Sequence, residues 1–209
     1  MNKLFFLLCI FSITTLFSCK SNIDEKGNNF PIVSKNKLLV GWKTLSNDSV
    51  KVNIPKGWKP KKVEGLLLYI PLEKDNVKMY YVILKTDVKK ISLKGYLKEI
   101  FKQVYNKNKD LKYFLKEFTF KDKSKCYSLE LFTKEANIDY KIYSLIYLRN
   151  DQIYDFSYKI LNDENQEAYL DGYRTFYNVA FSFSYKNENI INGEEFVIKD
   201  EKDILYDDL

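Results

Sequence analysis

From Val77 to Thr86 the chain is apolar on both faces of an extended segment. Val77, Met79, Tyr81 and Ile83 alternate with Lys78, Tyr80, Val82 and Leu84, so beyond the first turn neither set is polar. Such a strand is stable in the middle of a sheet that is covered on both sides. The rest of the sequence must therefore supply flanking strands and two covering layers. With 209 residues, 45% hydrophobic and 16% aromatic, it has the length and the apolar surface for one such domain plus some overhang.

The flanking strands are legible. Val50 to Ile54 reads as a strand closed by Pro55-Lys56-Gly57-Trp58, where Pro and Gly mark a turn and Trp58 offers an apolar anchor. Val63 to Ile70 is the next. After Thr86 the period changes: Ser92 is placed to cap a helix in which Leu93, Leu97, Ile100, Phe101 and Val104 form one stripe, with Lys94, Lys98, Glu99 and Lys102 off it. Apolar runs resume at Tyr113 to Phe120, Tyr127 to Phe132, Ile138 to Leu148 and Ile153 to Ile160. Asn150-Asp151 predicts a hairpin between the last two, and Tyr154, Phe156, Tyr158 and Ile160 alternate with Asp155, Ser157 and Lys159. Asn162 or Asp163 then caps a second helix, in which Ala168, Gly172, Tyr173, Phe176 and Ala180 share a face. Strands, helix, a meander of strands and a last helix imply an antiparallel β-sheet with helices packed on its faces, an α+β fold.

The order of these pieces resembles the PsbP-like superfamily. The likeness spans Val50 to about Tyr185. It is carried by the Ile54-Pro55-Lys56-Gly57-Trp58 turn, the Ile91-Ser92-Leu93-Lys94-Gly95-Tyr96-Leu97 helix entry, the Gln152-Ile153-Tyr154 strand start, and a last helix ending Val179-Ala180-Phe181-Ser182-Phe183. Asp151 stands where many members have Gly, and the aromatic content is unusually high. The resemblance implies a PsbP-like α/β/α sandwich and a protein-binding or assembly role. It brings no catalytic motif and no site residues.

The N-terminus carries an address. Met1-Asn2-Lys3 is followed by an almost wholly apolar run from Leu4 to Phe17, then by Ser18-Cys19. A charged start and a short greasy stretch are the parts of a secretory leader, too short for a stable membrane helix. Leu16-Phe17-Ser18-Cys19 resembles a bacterial lipobox, which makes Cys19 the expected lipidation site and new N-terminus, with its acyl chains inserted in membrane lipid. Lys20 rather than Asp after the cysteine favours the outer membrane in a cell with two membranes, and Asp24-Glu25 resembles an acidic surface-display signal. The expected organisation is a signal peptide at 1–18, a lipidated N-terminus and flexible tether at 19–47, the PsbP-like α+β domain at 48–186 and an acidic tail at 187–209. Cys9 leaves with the leader and Cys19 is consumed by lipid, so only Cys126 remains. It pairs with nothing and is expected to be a small buried hydrophobe.

Charge and composition narrow the function classes. The chain holds 34 basic and 28 acidic residues and no histidine. Histidine-based nucleophile activation and His-ligated metal sites are therefore excluded. From Glu188 onward the charge is net acidic, and the body before it is basic. Its cations are nearly all Lys, with only Arg149 and Arg174, which speaks against nucleic acid as a partner. The remaining candidates for chemistry are weak. Asp163-Glu164 and Glu194-Glu195 are adjacent acids without a cleft. Asp200, Glu201, Asp203, Asp207 and Asp208 lack the spacing of a calcium loop, and Ser124-Lys125 is only a sequence neighbour pair. Asp48-Ser49-Val50 matches a short envelope O-glycosylation signal. Seventeen tyrosines raise the alternative of an aromatic-lined groove for a small apolar or glycan ligand, with Tyr80, Tyr143, Tyr147, Tyr154 and Tyr158 as candidates if a face is left uncovered. The expectation is a membrane-anchored envelope lipoprotein that is not an enzyme, uses no cofactor or metal, and meets an envelope protein partner through a non-catalytic interaction domain.

Overall fold

The computed structural model describes residues 38–74, 76–107, 111–120, 123–162, 166–191 and 198–209. Its strands are β1 (Trp42–Ser46), β2 (Val50–Pro55), β3 (Leu66–Lys74), β4 (Val77–Asp87), β5 (Lys112–Phe120), β6 (Lys125–Glu135), β7 (Ile138–Arg149), β8 (Gln152–Leu161), β9 (Ser184–Tyr185), β10 (Glu188–Asn189) and β11 (Ile198–Asp203). Helix α1 (Leu93–Lys107) lies between β4 and β5, and α2 (Gln166–Ser182) between β8 and β9. One seven-stranded sheet runs β11-β5-β6-β7-β8-β4-β3, and a four-stranded sheet runs β1-β2-β9-β10. All ladders are antiparallel. Among the described residues, no helix is long and apolar enough to cross a membrane.

The doubly apolar segment has the place its pattern demands. β4 is inside the large sheet, paired with β3 on one side and β8 on the other. Hairpin closure is local. Asn150 and Asp151 have φ of 49° and 56°, and Ala136-Asn137 and Lys186-Asn187 adopt the same left-handed pairs. Two successive positive-φ residues make the mirror-image turn whose twist matches that of the flanking strands. At the start of α1, Ser92 Oγ accepts the Gly95 N–H at 3.1 Å, the expected cap. β3 begins at Leu66 rather than Val63, because Gly65 turns the chain at φ 80° just before it.

Alternation divides the large sheet between two cores. On one face, Tyr81, Ile83, Tyr143, Leu145, Phe156 and Phe118 cluster with Phe176, Val179 and Ala180 of α2, with Val52 and Ile54 of β2, and with Ile190 and Ile191. On the other, Leu115, Leu129, Leu131, Ile146 and Ile153 cluster with Leu97 and Phe101 of α1 and with Ile204. The apolar stripe read for the first helix is thus the stripe that packs. Ser182 fixes α2 to the small sheet, its Oγ accepting the Asn53 N–H at 2.9 Å.

The sheets take in residues from both segments flanking the expected 48–186 domain. β1 lies within the stretch read as tether and pairs along its full length with β2, with Trp42 and Leu45 packed against the first core. β11 lies within the acidic stretch and forms the outer strand beside β5. The remaining chain, through a 3-10 turn at Tyr206–Asp208, crosses the α1 side: Ile204 is buried in the second core, Leu209 packs against it, and the Tyr206 ring sits 5.7 Å from Phe101. The acidic end folds back on the basic body, an outcome the charge distribution left open.

Candidate functional site

In β8, the alternation that sends Tyr154, Phe156 and Tyr158 into the first core turns Asp155, Ser157 and Lys159 to the opposite face. Polar residues at every second position are the usual pattern of a strand with one face to solvent. Asp155 is only 8% exposed and Lys159 only 7%; β4 and β7 flank both, Tyr96 of α1 reaches Asp155, and the Tyr140 ring covers Lys159. A buried polar group must find partners, and these do. Asp155 accepts the Tyr96 hydroxyl of α1 at 2.7 Å and the Ser157 hydroxyl at 2.7 Å. Ser144 Oγ of β7 lies 2.8 Å from Ser157 Oγ. Lys159 Nζ donates to Glu135 at 2.6 Å and sits 3.9 Å from the centroid of the Tyr140 ring.

The register extends this polar strip toward the sheet edge. Tyr80 is opposite Lys159, Val82 opposite Ser157, and Leu84 opposite Asp155, so the three β4 side chains share the face. Tyr69 of β3, opposite Val82, adds a second ring 6.4 Å from Tyr80. Tyr69, Tyr80, Val82 and Leu84 are all half-buried. This half of the face is therefore neither closed core nor plain solvent surface.

Electrostatics follow from burial. Desolvation raises the Asp155 carboxyl above the ordinary carboxylate range, and the hydrogen bonds from Ser157 and Tyr96 bring it part of the way back. The Tyr96 phenol is pushed up first by burial and then by the Asp155 charge. Tyr80 rises through burial and, after it, the charge of Glu135. Chemically the strip offers fixed hydroxyls, the buried Asp155 carboxyl and the half-buried Tyr69 and Tyr80 rings. Ser157 faces a carboxylate, too weak a base to ionise a hydroxyl, and the Lys159 ammonium is given to Glu135.

The other residues singled out in the sequence are dispersed. Tyr143, Tyr147, Tyr154 and Tyr158 are buried in the first core, so of the five candidate tyrosines Tyr80 alone is on the half-open face. Cys126 is fully buried, and desolvation holds its thiol well above the usual value. Lys125 Nζ donates to Glu117 at 2.7 Å, while Ser124 Oγ approaches the Tyr147 hydroxyl at 3.5 Å, so that pair is not a catalytic couple. In the acidic end, Glu201 pairs with Lys116, and Asp208 accepts the Leu205 N–H at 3.0 Å. Among the described residues, no three His, Cys, Asp or Glu gather as a metal site. Asp48-Ser49 lies in the β1–β2 turn, where Asn47 Oδ1 accepts the Ser49 and Val50 N–H groups at 3.0 and 2.7 Å. Cys19, Asp163-Glu164 and Glu194-Glu195 fall outside the described residues.

Sequence reasoning missed the site made by Asp155 and Tyr96. The available signal was an acid in the middle of a strand whose neighbours on both sides are long and apolar, a position where a carboxylate cannot reach water by itself.

No protein-family model matches the chain, and no curated protein matches it. Among solved structures it is similar to the cyanobacterial PsbP protein of Synechocystis sp. PCC 6803, at a TM-score of 0.47 and 13% identity, covering 70% of this chain and 94% of that one. A second similar structure is a Pseudomonas aeruginosa protein of unknown function, at a TM-score of 0.34 and 12% identity, covering 64% of this chain and 94% of that one.

Proposed function

We propose that the chain is an envelope lipoprotein anchored through acylated Cys19, most at home in the outer membrane, whose body is a PsbP-like α/β/α domain acting as a non-catalytic interaction or assembly module. The half-open face supports this reading. Tyr69, Tyr80, Val82 and Leu84 present apolar surface beside a hydrogen-bonded Asp155–Ser157–Ser144 strip, the mix of rings and satisfied polar groups that protein partners use. The aromatic-groove alternative is weakened because four of its five tyrosines fill a core.

Two experiments test the reading. Metabolic labelling with an alkyne fatty acid should mark the parent and leave Cys19→Ala unmarked; equal labelling of both would remove the anchor. A photo-crosslinking residue at Tyr80 should join the protein to one envelope protein of discrete mass, and the same probe at Lys186, on the turn between β9 and β10, should not. Identical product patterns from the two positions would remove the interaction face.

A further inference from the structure

Three consecutive apolar residues lead into β1 on the surface. Leu38 is 47% exposed, Leu39 43%, and Val40 fully so. Nothing in strand alternation accounts for three in a row, since they precede the strand, and exposed apolar runs of this length mark contact sites. They do not stand alone. The Lys56 N–H donates to the Gly41 carbonyl at 2.9 Å, which ties this entry to the Pro55–Trp58 turn, and the chain leaving that turn runs to Lys61, whose N–H donates to Tyr69 O at 2.8 Å. Along it Lys56, Lys59, Lys61 and Lys62 are exposed, with Val63 40% exposed and Glu64 the one acid.

We propose that this end of the domain docks on an anionic phospholipid surface, with Leu38, Leu39 and Val40 entering the headgroup boundary and the four lysines meeting lipid phosphates. The inference rests on the anchored reading for its biological setting. Two observations select lipid rather than protein as the occupant. The segment tied to the apolar run by the Lys56–Gly41 bond carries exposed cations on a flexible-stem residue type suited to headgroups, and the run is where the body continues into the segment that, on the anchored reading, leads to acylated Cys19. Residues 20–37, even fully extended, reach roughly 65 Å. The anchor therefore holds the patch at high effective concentration beside its lipid, and weak docking suffices. The consequence is orientation: the half-open face on the large sheet is held at a set angle to the membrane.

Vesicle sedimentation of a chain starting at residue 19 and carrying Cys19→Ala tests this without any acyl chain. Every strand and helix among the described residues lies within 42–209, so that chain keeps both sheets and both helices. The parent should sediment with phosphatidylcholine vesicles containing phosphatidylglycerol and much less with phosphatidylcholine alone. Lys59→Ala and Lys62→Ala should each weaken binding about fivefold, and Leu39→Asp with Val40→Asp should abolish it, while near-UV circular dichroism stays unchanged. The proposal is overturned if the parent remains in the supernatant, if it binds neutral vesicles equally, or if either set of variants binds as the parent does. A chain unlabelled at Cys19 in cells would end the anchored reading and leave this vesicle result standing.

Discussion

The Tyr96 hydroxyl donates a 2.7 Å hydrogen bond to Oδ2 of Asp155, joining helix α1 to the middle of strand β8. The bond spans the boundary between a covering helix and the centre of the large sheet, and it supplies one of two hydroxyl donors to a buried carboxyl. Tyr96→Phe keeps the ring and deletes the donor. It is expected to cost about 1.5–3 kcal/mol at a pH where Asp155 is ionised, the range for a hydrogen bond to a charged group, and less at a pH below its raised titration range, where it is protonated. Urea unfolding midpoints at the two pH values measure both.

Stability should also carry the signature of Asp155 across pH. Its folded carboxyl lies above the ordinary range, chiefly through burial. Between the unfolded value and the folded one, the folded protein holds a proton that the unfolded chain has released. Stability is therefore fully present below the unfolded value and is lost as pH rises through the folded value. Glu117 acts in the opposite sense. Burial alone would raise it, but hydrogen bonds from Lys125 and Tyr127 outweigh burial and hold it low, so its contribution is lost as pH falls. Asp155→Asn should gain on the parent progressively as pH rises from the unfolded carboxyl value through the raised folded one. Parallel stability curves for the two proteins would refute this.

Lys141 and Glu130 form a 2.9 Å ion pair on the opposite face, with the Lys141 side chain only 5% exposed and its Nζ 4.9 Å from the centroids of both Phe132 and Tyr143. Removing the acid leaves a buried ammonium with less compensation, whereas removing the cation leaves an acid nearer to solvent. Glu130→Gln is expected to cost roughly 3 kcal/mol and Lys141→Met under about 1 kcal/mol. Equal losses in chemical denaturation would contradict this asymmetry.

Ala136 occupies the first position of the β6–β7 turn at φ 47°. An L-residue with a Cβ is disfavoured there, and glycine is not. Ala136→Gly should stabilise the protein by about 0.5–1 kcal/mol, the gain being limited by the greater freedom of glycine in the unfolded chain. Ala136→Val should lower the melting temperature.

The acidic end is structural. Ile204 is buried beside Leu97 and Phe101, and the Tyr206 N–H donates to the Tyr113 hydroxyl at 2.9 Å. Ile204→Ala is expected to cost about 2 kcal/mol. Deleting residues 198–209 would in addition bare the hydrogen-bonding edge of β5, and size-exclusion chromatography should then show self-association.

Local rules made most of the elements readable. The helical stripe of Leu97 and Phe101 faces a core, Ser92 caps its helix, and Asn150-Asp151 turns its hairpin, since each depends on residues a few positions apart. The candidate site was not readable by the same rules. Asp155 has the period of a solvent-facing residue, and only the arrival of Tyr96 from 59 positions away turns that face inward. The tyrosines show the converse error of emphasis: their number suggested a groove, while their alternation placed Tyr143, Tyr154 and Tyr158 in a filled interior.

Period, caps and turn residues are properties of short stretches, so the run from β2 to β8 and the two helices were already implicit in the order of the amino acids, whereas β1, β9, β10 and β11 were not. Which strand borders which is a long-range matter. That β1 and β2 leave the large sheet to join β9 and β10, and that an acidic end becomes the strand beside β5, depends on which apolar faces remain to be buried once the chain has closed on itself. Burial is a sum over the whole molecule, and no local window contains it.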